Sequence, residues 1–166
     1  FLLLTGLSGV AGLLIFERLS GTFETLRAST HEHELFEDLT TSITDFVMAT
    51  EGWSVTGNPA FRKIYGEKLS NIRKRFGDLS VISKEGGDIK ALGTYFEEVR
   101  SVANEAIRID RPAGSEKTFP VLKRLGEKEG ELRVRLDAVY LKLTRAYSDA
   151  IERGEAAQKR MVYYFG

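Results

Sequence analysis

The sequence predicts an all-α protein: an antiparallel, up-down-up-down four-helix bundle whose first and fourth helices are longer than the middle pair and continue toward membrane spans. Three observations predict it. Apolar residues recur with a seven-residue period in four separate stretches. The breaks between these stretches are short and carry turn chemistry. No run alternates apolar and polar residues for long enough to make a strand. A 3-4 apolar spacing draws one stripe on a helix and favours packing at about +20°. Four such stripes in one chain read as a bundle, and short connections make neighbours antiparallel.

The chain opens with an uncharged run, Phe1 to Phe16. At 1.5 Å per residue the run reaches about 24 Å, short of the roughly 30 Å hydrocarbon core. Residues 1–18 are therefore expected to be the C-terminal part of a first transmembrane helix. A signal peptide would need a small-residue cleavage site after the run. Here Phe16-Glu17-Arg18-Leu19 continues in helix-compatible sequence instead. A signal peptide and a buried soluble helix stay as alternatives. Thr5/Gly9 and Ser8/Gly12 give the small-xxx-small spacing that lets two such helices approach.

The first helix then carries Phe36, Ile43 and Thr50 interleaved with Leu39, Phe46 and Trp53, and is expected to end near Val55. Thr56-Gly57-Asn58-Pro59 breaks it, with Asn58 suited to an N-cap and Pro59 to the first helical position. The second helix has Tyr65, Ile72 and Leu79 with Leu69 and Phe76. Lys84 to Asp88 is the next break, with Asp88 expected as N-cap. The third helix has Ile89, Phe96 and Ala103 with Leu92, Val99 and Ala106. Asp110 to Ser115 is the most loop-like segment. The fourth helix, from about Thr118, has Leu136, Leu143 and Ala150 with Leu125, Leu132, Val139 and Ala146. Met161 to Gly166 turns apolar and aromatic again, as at a membrane interface. Residues 161–166 are expected to start a second span, leaving 19–160 as an extracytoplasmic four-helix domain.

Composition excludes several function classes. Among 166 residues, 24 basic and 24 acidic side chains leave no basic excess to condense on nucleic acid. With no cysteine there is no disulfide and no thiolate metal site. No P-loop, dinucleotide fingerprint, HExxH or Ser-His-Asp order appears. No catalytic residue, cofactor or metal site is expected.

The segment Glu51-Gly52-Trp53-Ser54-Val55-Thr56-Gly57-Asn58-Pro59-Ala60-Phe61-Arg62-Lys63-Ile64-Tyr65 resembles a recurring motif of bacterial sensory bundles, approximately E-R-G-Y-L-L-T-G-D-x-x-F-x-x-x-Y. That motif belongs to the third type of CHASE extracellular sensory domain and, more loosely, to the four-helix-bundle domain of chemoreceptors. Gly52, Thr56, Gly57, Phe61 and Tyr65 match. Trp53 stands for the usual tyrosine, Val55 for a leucine, Asn58 for the aspartate, and Glu51 where arginine precedes the glycine. The resemblance implies a periplasmic signal-input domain of a receptor in the bacterial inner membrane, in the first place a sensor histidine kinase, acting as a homodimer. An input domain of a chemotaxis receptor or diguanylate cyclase is the alternative output, and a secreted helical bundle without signalling the alternative class. The ligand, small molecule or protein, is not read from the sequence.

Within the motif, Gly57 suits a left-handed helix end, while Phe61 and Tyr65 begin the second helix's stripe. Trp53 and Phe61 are expected to close one end of the bundle. Trp53 and Tyr65 are the candidates for ligand contact. His31-Glu32-His33-Glu34 places its histidines about 200° apart on a helix, so they do not chelate one ion from one chain; a solvated face is expected. Arg73, Lys74 and Arg75 fan around the second helix rather than form an anion site. Arg108 suits a helix C-terminus. Glu129 lies on the fourth helix's stripe between Gly126 and Gly130, which mark a locally weak or closely packed stretch and a candidate switch.

Overall fold

The structure, a computed structural model, describes residues 2–165, with side chains from 20 to 159 and at 17 and 163. The helices are α1 (Leu2–Thr56), α2 (Ala60–Ile82), α3 (Gly86–Arg108) and α4 (Thr118–Phe165), and the described residues contain no strand. At 55 and 48 residues, α1 and α4 are each about twice the 23 of α2 and α3. The fold is an all-α four-helix bundle.

The chain divides into two compact units, Glu34–Leu141 and Phe1–His33 with Lys142–Gly166. The first unit holds the bundle. Its ion pairs fix the antiparallel order. Asp45 pairs with Lys68 at 2.6 Å and Asp38 with Arg75 at 2.8 Å, so α2 descends as α1 ascends. Glu98 pairs with Lys128 at 2.8 Å and Glu105 with Arg124, which sets α4 against α3 the same way. Tyr65–Asn104 and Phe76–Phe96 do the same for α2 and α3.

The sevenfold stripes form the core. Phe36, Leu39, Ile43, Phe46, Thr50 and Trp53 are buried on α1, and all six stripe residues named on α3 are buried. Tyr65, Ile72 and Leu79 are buried on α2, while Leu69 and Phe76 are only half-buried. Phe46 sits at the centre, 4.6 Å from Tyr65 and 5.4 Å from Phe96 between ring centroids. Thr50 and Ser54 are polar and buried, yet need no partner across the core. Each hydroxyl donates to the carbonyl one turn back, Phe46 O at 2.9 Å and Thr50 O at 2.8 Å.

Two capping expectations meet different fates. Asn58 Oδ1 accepts the Ala60 N–H at 3.0 Å, and Pro59 already has helical φ and ψ, so the Asn58 cap is present. Asp88 is not a cap. The α3 helix begins two residues earlier, and the Asp88 and Ile89 N–H groups donate to Glu85 O. Asp88 instead sits in the first turn, where a carboxylate favours the helix dipole.

Among the described residues of the second unit, α1 and α4 are the only helices. Leu143 and Ala150 are buried there as expected, but Ala146 is exposed. A pair of helices buries only one seam, so the stripe position that would face a third helix is solvated. His33 departs from the expected solvated face: it is half-buried, stacks on Tyr147 at 5.6 Å, and lies 3.4 Å from Thr144 Oγ1. Among the described residues, no helix is long and apolar enough to cross a membrane. The side chains of the expected spans at 1–18 and 161–166 lie outside the described ones, apart from those of Glu17 and Tyr163.

Candidate functional site

The motif residues build the turn between α1 and α2. Gly57 takes φ of 66° and its N–H donates to Trp53 O at 2.8 Å, a left-handed helix end. Thr56 Oγ1 donates to Gly52 O at 2.6 Å and accepts the Asn58 N–H at 3.1 Å. Phe61 packs on bare Gly52: a Cβ there would lie 2.5 Å from Phe61 Cε1. It is Arg62, which sequence reasoning passed over, that covers Trp53. Its guanidinium lies 3.8 Å from the indole centroid and donates to Ile107 O at 2.7 Å, tying α2 to the end of α3.

The two candidate ligand contacts are both interior. Trp53 is 6% and Tyr65 7% exposed. Tyr65 bonds Asn104 Oδ1 at 2.6 Å. Burial pushes its phenol above the usual range, while Arg100, Arg73 and Arg108 pull it back and Glu97 adds to the rise. Trp53 Nε1 is buried without a hydrogen-bond partner. The facing loop is pinned by Thr118 Oγ1, which donates to Pro112 O at 2.7 Å, and it holds Arg111 and Gly114 at positive φ.

Open space lies elsewhere, between α1 and α4 of the bundle. Two adjoining hollows of about 300 and 340 Å³ share Thr40, Leu136 and Asp137. The first adds Glu37 and Tyr140, and the second Glu129 and Arg133. The sequence dictates the gap. In Leu39-Thr40-Thr41-Ser42-Ile43-Thr44, short side chains face α4 where a tight seam would carry leucine. Thr40 and Thr44 return their hydroxyls to Phe36 O and Thr40 O of their own helix, so they do not bridge to α4. The floor is apolar, with Ile43, Leu132 and Leu136 all buried. This groove was missed; the run of threonines was its one sequence signal.

Glu129, the candidate switch, lies on this groove's wall and is bonded to Arg133 at 3.1 Å. Together with burial, which is the larger cause, Glu129 raises the Glu51 carboxyl above the usual carboxylate range. Gly126 and Gly130 are not closely packed: a Cβ at either would meet nothing within 4 Å. The basic triplet does not converge on one site: Arg75 pairs with Asp38 on α1, while Arg73 and Lys74 are exposed. Lys128 is held above the usual lysine range by hydrogen bonds to Glu98 and Glu131. No cluster of three or more histidine or carboxylate side chains suited to a metal ion occurs among the described residues. No family model, curated protein or solved structure matches the chain.

Proposed function

We propose that the chain is the extracytoplasmic input domain of a bacterial transmembrane receptor, in the first place a sensor histidine kinase, with a chemotaxis receptor or diguanylate cyclase as the alternative output. One observation carries the reading: among the described residues, α1 and α4 are the only helices of the second unit, and they bear the two apolar ends of the sequence. Anchor and signal path are then the same two rods. The resemblance of the Gly52–Tyr65 segment to sensory bundles supports it, as does the cap-and-packing role of those residues. The reading puts the ends in the inner membrane and residues 19–160 in the periplasm. A stimulus acts by binding one arrangement of α1 and α4 more tightly than another, since only differential affinity shifts an equilibrium.

A homodimer is part of the proposal. Met48 and Val55 on α1, and Val134 and Leu141 on α4, are each seven residues apart and 55–70% exposed. Apolar residues repeated at this spacing on outer faces suit a second copy of the chain.

The test uses the absence of native cysteine. Lys123→Cys, on the α4 surface, is the sole thiol in cells expressing the chain. Expected are retention in carbonate-washed membranes and labelling of intact cells by a membrane-impermeant maleimide. Recovery in the soluble fraction without detergent, or labelling only after lysis, overturns the reading.

A further inference from the structure

The α1–α4 groove has a chemistry that the input-module reading does not specify. Its two hollows form one trough along α4, each of the volume usual for small-molecule sites. Carboxylates stand along it: Glu129 in one hollow, Glu37 in the other, and Asp137 where the two meet. From Glu129 to Asp137 is eight residues of helix, about 12 Å. Between them the floor is Ile43, Leu132 and Leu136, all at most 5% exposed.

Charge favours a cation. In the hollow that holds both Glu129 and Asp137, two carboxylates face one cation, Arg133, which is already bonded to Glu129. Asp137 has no ion-pair partner among the described residues, although it is shared by both hollows. A compact metal ion does not fit this spacing, since its ligands must converge within a few ångströms. An apolar floor between two carboxylates, as in the hollow from Glu129 to Asp137, fits an extended chain of methylenes with an ammonium at each end.

We propose that this groove binds a linear aliphatic diamine or polyamine, with Asp137 and Glu129 holding its terminal ammonium groups and Leu136, Thr40 and Thr44 flanking its methylenes. Extended chain advances about 1.2 Å per bond, so roughly ten bonds between nitrogens match the span. The proposal rests on the input-module reading only for the statement that binding is a stimulus.

Isothermal titration of the whole chain in detergent tests it, with 1,8-diaminooctane and spermidine as probes. Ethylenediamine and the dicarboxylate suberate serve as the short and the anionic controls. Saturable binding of the two long amines is expected, at least tenfold weaker for ethylenediamine and absent for suberate. Asp137→Asn and Glu129→Gln each weaken it at least tenfold, with unchanged melting temperature, while Glu116→Gln in the exposed loop leaves it unchanged. No saturable heat with either long amine, binding that survives Asp137→Asn, or equal binding of suberate overturns the proposal. Amine binding by a chain whose Lys123→Cys labels only after lysis removes the receptor reading and leaves the site.

Discussion

Phe61 stands on Gly52, its ring filling the space that any side chain at residue 52 would need. A Cβ would approach Cε1 to 2.5 Å and both Cδ1 and Cζ to 2.7 Å. The first turn of α2 thereby closes against the last turns of α1. Gly52→Ala must push the ring outward and break this seat. A loss of about 1–3 kcal/mol is expected, the usual cost of overpacking. Urea denaturation of Gly52→Ala, Phe61→Leu and the double variant reads it. In the double variant the smaller, branched side chain yields, so the two costs are less than additive. Additive costs would mean that the residues do not share this contact.

The glycines divide into those the backbone needs and those it does not. Gly57 has φ of 66°, where a Cβ crowds the following carbonyl. Gly57→Ala is expected to cost about 1 kcal/mol. Gly126 and Gly130 lie within α4 with open space around them. Each →Ala change there is expected to stabilise by up to about 1 kcal/mol, because alanine is the better helix former. Thermal melts of the three variants should move in opposite directions, and a loss at residue 126 or 130 would reveal a close approach absent from the single chain.

The fold was legible because its physics is periodic. Burial of Phe36, Ile43 and Thr50 on one face follows from their spacing alone, whatever the partner helix. Ala146 was misassigned for the same reason: period says which residues share a face, not whether a third helix is there to cover it. Arg62 was missed because cation–π cover depends on an indole nine residues away, across a turn. The groove was illegible because a threonine run reads equally as a weak helix or as a small-residue seam. Only the meeting of Thr40 and Thr44 with Asp137 and Arg133 shows that the seam is left open.

Glu51 predicts an acid-side dependence. Its side chain is exposed but partly desolvated, and its carboxyl lies above the usual range, first through that desolvation and then through Glu129. The fold therefore binds that proton more tightly than the unfolded chain does. The resulting stabilisation is complete below the ordinary value of 4.5 and is lost as pH rises through the raised one. Glu51→Gln stays neutral throughout. It is expected to be more stable than the native chain at pH 7 and equal to it below pH 4.5. A gain of the same size at both pH values would remove the titration of Glu51 as its cause.

Tyr65 predicts the alkaline counterpart. Its phenol is raised chiefly by burial, and its hydroxyl is bonded to Asn104. Stability from the neutral phenol is whole below pH 10.0 and falls as pH rises through the raised value. Tyr65→Phe loses a hydrogen bond worth about 1 kcal/mol at neutral pH. Its denaturation midpoint should then fall less steeply than that of the native chain above pH 10. Parallel curves would place the alkaline loss at another tyrosine or lysine.

The pairing of α1 and α4 outside the bundle can be captured covalently. Thr22 Cγ2 lies 4.0 Å from the position of a Cβ on Gly154, the nearest such approach at that glycine. The methyl carbon occupies the place that a cysteine sulfur would take. In a disulfide a sulfur stands about 3 Å from the opposite Cβ, so the two helices must close by roughly 1 Å for the bridge to form, and the chain brings no competing thiol. Thr22→Cys with Gly154→Cys is expected to form an intramolecular bridge under mild oxidation, seen as faster migration on non-reducing gels. Glu24→Cys with Gly154→Cys, with the first thiol two residues away and about 200° around α1, should not. Bridging only between chains, or equally in both variants, would remove the α1–α4 pairing and with it the two rods on which the receptor reading rests.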